Sequence, residues 1–110
     1  MAKRTAYKTR KAKEDLADIA VWYGQESVEL ELHFLQAMED AFRGLLDSPQ
    51  KGAPRTFDHP AFRNVRMGPV PAFPRVLIFY RTYMGGIEVI RVLHAARDIA
   101  TLFSKKNEVD

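Results

Sequence analysis

The stretch "IEVIRVLHAARD", residues 87–98, is a strand-like run that ends in three groups able to hydrogen-bond or carry charge: His94, Arg97 and Asp98. A neutral imidazole titrates near working pH, so with Arg75, Arg81 or Arg91 beside it, His94 could form an acid–base pair with a phosphate clamp. Cutting RNA asks for more. It needs a base for the 2′-hydroxyl, an acid for the leaving oxygen and a cation for the phosphorane, gathered at one phosphate. The plainer roles are structural. His94 then donates to a backbone carbonyl, Asp98 caps a final short helix, and Arg97 pairs with a carboxylate or a partner.

The remaining candidates are spread more widely. Arg63, Arg66, Arg75, Arg81 and Arg91 fall on three strand-like segments, and arginine, unlike lysine, suits planar two-pronged contacts with carboxylate or phosphate. Residues 14–47 carry nine acids against Arg43 alone, while residues 51–98 carry Lys51 and seven arginines against Asp58, Glu88 and Asp98. Such segregation within a net charge of +3 implies one face for an acidic partner, or two solvated faces. Trp22 falls off the main apolar stripe of its helix, as a contact residue would. His33 and His59 are isolated, so no metal site is expected, and no cofactor.

Composition narrows the classes. A chain of 110 residues with 46% hydrophobic and 28% charged residues is one ordinary globular domain, 1–110, with its core in about 7–103. There is no cysteine, which excludes a disulfide scaffold and points to a reducing compartment. No apolar run approaches the roughly 20 residues of a membrane span, and the basic start has no apolar run behind it. A cytoplasmic protein without membrane partners is expected.

The elements that must position these residues read as follows. "TAYKT" is a candidate first strand. Thr9 can cap a helix over about 10–24, with Ala12, Leu16, Ile19, Ala20 and Tyr23 inward and Glu14, Asp15 and Asp18 outward. A second helix over about 27–47 carries the stripe Val28, Leu32, Leu35, Met38, Phe42, Leu45 and Leu46, and stops before Pro49. "SPQKGAPRTFDHP" is a loop. "FRNVRMGPV" suggests an edge strand because of Gly68 and Pro69. "RVLIFYRTY" has the density of a central strand, and Gly85-Gly86 marks the turn into its partner, pairing Tyr80 with Arg91 and Leu77 with His94. The class is α+β: an N-terminal strand, an antiparallel helical hairpin on a mainly antiparallel sheet of three to four strands, and a short C-terminal helix.

The pieces "EDLADIAVWYG", "LLDSPQKGAP", "FRNVRMGPVPAFPRVLIFYR" and "IEVIRVLHAARDI", in this order, resemble the ParE branch of the RelE/ParE toxins, which includes plasmid stabilisation proteins. "RVLHAARD" carries most of the likeness, then the spacing of Leu46, Pro49 and Gly52. The resemblance implies a bacterial toxin neutralised by a cognate ParD-like antitoxin, with DNA gyrase as target. It implies a contact surface for target or antitoxin among Arg63, Arg66, Arg75, Arg91, Arg97 and Trp22, and a motif of His94, Arg97 and Asp98 that anchors the last helix. RelE relatives instead cut messenger RNA in the ribosome. Where they carry a catalytic side chain this chain has Ala95, and no tyrosine follows Tyr83. An inhibitor is therefore expected rather than an endoribonuclease built on His94, Arg75, Arg81 and Arg91, with a non-toxic member of the fold as a further alternative.

Overall fold

A computed structural model describes residues 4–96 and 99–104. In chain order it contains β1 (Ala6–Lys8), α1 (Arg10–Gly24), α2 (Val28–Asp47), β2 (Ala53–Pro54), β3 (Arg66–Pro69), β4 (Val76–Tyr83), β5 (Gly86–His94) and α3 (Ile99–Leu102). The five strands form one sheet in the order β1-β5-β4-β3-β2. Only β1 runs parallel to its neighbour, β5. The architecture is α+β, with one strand more at the sheet's edge than the sequence pattern suggested. Two residues, Ala53 and Pro54, are too few to leave an alternation, and they make β3 an inner strand rather than the edge.

Both helices start where a side chain can satisfy a free N–H. Thr9 Oγ1 accepts from the Ala12 N–H at 3.0 Å, and Ser27 Oγ from the Leu30 N–H at 3.0 Å. Thr9 Oγ1 also donates to the Ile90 carbonyl at 2.8 Å, tying the start of α1 to β5.

Helix α2 buries Phe34, Ala37, Met38, Ala41, Phe42 and Leu45. The expected stripe is wrong at its beginning, because Val28, Leu32 and Leu35 lie outside. They form their own ridge at helical spacing, beside the core face rather than on it. The helical hairpin covers one face of the sheet, packing on Val76, Ile78, Tyr80, Ile87, Val89 and Val92. The other face is covered by Phe57, Phe62 and Phe103 over Phe79, Ile90 and Leu93. Phe57 and Phe103 stack with ring centres 4.2 Å apart. A sheet covered twice explains why Val76 to Tyr80 is apolar at every position.

The β4–β5 hairpin departs from the expected register. Its turn is Met84-Gly85, since Tyr83 pairs with Gly86. Both turn residues have positive φ, 49° and 79°, the backbone of a type I′ turn whose twist matches the strands. Tyr80 therefore faces Val89, Phe79 faces Arg91, Leu77 faces Leu93 and Val76 faces His94, with an irregularity between Phe79 and Tyr80. One extra residue on β5 is a bulge. Its effect is visible in the cores: Val89 and Val92 share one face, and Ile90 and Leu93 share the other. A regular strand puts residues three apart on opposite faces, so the bulge is what turns His94 toward the helices.

The Pro49–Gly52 segment is held by Tyr80. Its hydroxyl donates to the Pro49 carbonyl at 2.6 Å and accepts from the Gly52 N–H at 2.9 Å. A side chain at position 52 would meet that hydroxyl at 2.6 Å and the Met67 carbonyl at 2.9 Å, which explains the glycine. The spacing of Leu46, Pro49 and Gly52 is thus a lock between the end of α2 and the sheet.

Candidate binding surface

The arginines have different fates. Arg91 is 5% exposed. Its Nε and Nη2 donate to the two carboxylate oxygens of Asp15 at 2.7 Å each, and the same carboxylate accepts the Val92 N–H at 3.0 Å. Two expectations change here. Asp15 faces inward because it lies three residues after Ala12 and four before Ile19, the spacing of one helix face. Arg91, placed among the contact residues, is instead an internal strut that fastens α1 to the β5 bulge.

Arg66 donates to the Gln50 and Gly52 carbonyls at 3.2 and 2.7 Å and to the Gln50 side chain. It braces the segment that Tyr80 holds. Arg81 pairs with Glu88 at 3.1 Å and donates to the Ala61 carbonyl at 2.7 Å, on the sheet face away from the helices. Arg63 is exposed. Arg97 and Asp98 lie outside the described residues, so their expected anchoring and capping roles are not located.

Trp22, Arg75 and His94 come together, which their sequence separation hides. Arg75 immediately precedes β4 and His94 is the last residue of β5; the Ala95 N–H donates to the Arg75 carbonyl at 2.7 Å. With Asp18, Ile19, Trp22 and Tyr23 of α1 they line a groove of about 660 Å³. The Trp22 ring meets Tyr23 at 5.0 Å and His94 at 6.4 Å, edge to face in both cases, yet remains 59% exposed. Arg75 is exposed, with no acceptor among the described residues.

His94 does not donate to a carbonyl through Nδ1. Its Nδ1 accepts from the Ala96 N–H at 3.3 Å, so the neutral ring carries its proton on Nε2. Arg81 pairs five positions along β4 from the His94 partner Val76, roughly 17 Å away at strand rise. Of the cations considered with His94, Arg75 shares its groove. Trp22 was legible as a residue off its stripe. Asp18, Ile19 and Tyr23 gain meaning only once the bulge fixes where His94 points.

Among the described residues no group of three metal-ligating side chains occurs, and no helix is long and apolar enough to cross a membrane.

No curated protein matches the chain. A solved structure described as the chromosomal ParDE TA system from P. aeruginosa superposes with a TM-score of 0.63 at 22% identity, covering 83% of this chain and 95% of that one. This shows a shared fold. The family model of the ParE toxin of type II toxin–antitoxin system, parDE, matches residues 7–99, a span that includes α1, the Tyr80 lock, the hairpin bulge and the Trp22–His94 groove. The chain belongs to the ParE toxin family.

Proposed function

We propose that this chain acts in the cytoplasm as a toxin that inhibits DNA gyrase, and that a cognate ParD-like antitoxin neutralises it by covering its surface. Family membership supports the toxin assignment. The observation favouring an inhibitor over a nuclease is the dispersal of the cations. Arg91 is spent on Asp15, Arg81 on Glu88 and Arg66 on the Gln50–Gly52 carbonyls. A nuclease gathers its acid, base and cation within hydrogen-bond reach of one phosphate.

The second reading, a ribosome-dependent endoribonuclease, draws on the pairing of His94 with Arg75 in one groove beside an exposed indole. Expression of the chain alone in bacteria separates the two, with DNA damage and translation read independently. Inhibition of gyrase predicts a DNA-damage response that precedes any fall in protein synthesis. Early arrest of translation without DNA damage would support the nuclease.

A further inference from the structure

The groove between α1 and the open end of the β4–β5 hairpin has a composition that selects a ligand. Its floor is apolar, from Ile19, Trp22 and Tyr23. Tyr23 is itself fixed by rings of Phe34 and Phe73 at 5.3 and 5.0 Å. Two hydrogen-bond donors line it as well: the exposed Arg75 guanidinium, without an acceptor among the described residues, and the His94 Nε2–H, the donor that remains when Nδ1 accepts the Ala96 N–H. Asp18 stands on α1 as an exposed carboxylate, also without a described partner.

We propose that this groove binds a peptide segment presenting a large apolar side chain beside a carboxylate, and that the antitoxin supplies that segment; the identity of the partner rests on the toxin–antitoxin reading above. The apolar side chain lies against Trp22, and the carboxylate takes the donors of Arg75 and His94. Charge complementarity chooses a peptide over nucleic acid. A lining of one guanidinium, one carboxylate and apolar rings suits a segment of mixed polarity, and Asp18 repels a run of phosphates while accepting a peptide N–H. The volume of about 660 Å³ lies within the range of ligand clefts and admits more than one side chain. The Trp22 ring is braced by Tyr23 and His94 before any ligand arrives, which lowers the ordering cost of binding. Tryptophan and arginine are also among the residue types enriched where interfaces draw most of their binding energy.

Trp22 is the single tryptophan of the chain, so its emission reports on this groove alone. The probe is 4-phenylbutyrate, an apolar ring with one carboxylate, titrated into the full chain. A saturable change in Trp22 emission is expected. It should weaken by at least about tenfold with 4-phenylbutanol or in Arg75→Gln, while circular dichroism shows that the variant remains folded. Equal binding of acid and alcohol, no loss in Arg75→Gln, or no response up to the solubility limit of the acid each overturns the proposal. Phenyl phosphate binding about tenfold more tightly than the carboxylate also overturns it, in favour of nucleic acid. Calorimetry with the purified antitoxin separates the two layers of inference. If the wild-type complex fails to form, the toxin–antitoxin reading fails, whatever the small probe does. If it forms and Trp22→Ala and Arg75→Gln both bind as tightly as wild type, the groove is not the docking site.

Discussion

Replacing Asp15 by alanine should be the most damaging single change of charge in this molecule. The carboxylate is 9% exposed and accepts three hydrogen bonds, two from Arg91 at 2.7 Å and one from the Val92 N–H at 3.0 Å. Asp15→Ala removes the carboxylate paired with the buried Arg91 guanidinium, and breaking a buried pair from one side typically costs about 3–5 kcal/mol. It also strands the Val92 N–H, whose desolvation costs about 1–3 kcal/mol. The two losses overlap, because a relaxed Arg91 and entering water relieve both, so a total of about 4 kcal/mol is expected. A domain of this size has roughly 5–15 kcal/mol in all. Asp15→Ala should therefore remove a large fraction of it, by detaching α1 from β5.

The pair of double variants tests the cause as well as the size. Removing both charges in Asp15→Leu with Arg91→Met should recover much of the loss, since a buried pair is often replaceable by apolar packing. Recovery should stop short of wild type, because the Val92 N–H at the bulge still lacks an acceptor. Asp15→Asn with Arg91→Met keeps an amide oxygen for that N–H and should be the more stable double variant by about 1 kcal/mol. Urea unfolding followed by circular dichroism gives the comparison, with the slope checked for constancy. A loss below about 1 kcal/mol for Asp15→Ala, or no difference between the two double variants, would refute the strut.

Tyr80→Phe deletes the lock on Pro49 and Gly52 and should cost about 1–3 kcal/mol in the same assay. Burial pushes the Tyr80 hydroxyl's pKa up, against the lowering effects of the Gly52 N–H and the Arg66 charge. The fold therefore holds the protonated phenol more firmly than the unfolded chain does. Its contribution is complete below the ordinary tyrosine value of about 10 and is lost as pH rises through the higher folded-state value; a Tyr80→Phe variant should lose stability less steeply above pH ~10, and parallel slopes would contradict this. Met84 holds a left-handed backbone, φ 49°, ahead of Gly85, so Met84→Asn creates the favoured Asn-Gly turn and should raise stability by about 0.5–1 kcal/mol; a lower melting temperature would count against the turn assignment. Thr9→Ala removes a cap and the link to the Ile90 carbonyl and should cost about 1–2 kcal/mol, measurable by thermal unfolding.

Local features were the ones legible in the amino-acid order. The start of α1 followed from Thr9 and the end of α2 from Pro49, because capping and proline sterics act over a few residues. Asp15 was misplaced for a chemical reason: a carboxylate was assigned to the wet face although its helical phase points inward, and its partner lies 76 residues away. The hairpin register failed for a conformational reason. Two adjacent glycines suggested the turn, whereas the chain accepts a left-handed Met84 so that Gly86 can remain in β5. The bulge left no sequence sign of its own, and it decides which way His94 faces. The groove was therefore only partly visible, through Trp22, until strand pairing carried Arg75 and His94 to its side.

The most direct test of the inhibitor proposal places the purified chain in two reactions side by side: supercoiling of relaxed plasmid by DNA gyrase, and message integrity in translating ribosomes. The expected result is that supercoiling falls with rising toxin, that added antitoxin restores it, and that message stays intact. His94→Gln, which keeps hydrogen-bonding capacity but does not titrate, should inhibit gyrase nearly as well as the wild type. Undiminished supercoiling, together with cleavage of message that disappears in His94→Gln, would contradict the proposal and establish His94 as part of a nuclease.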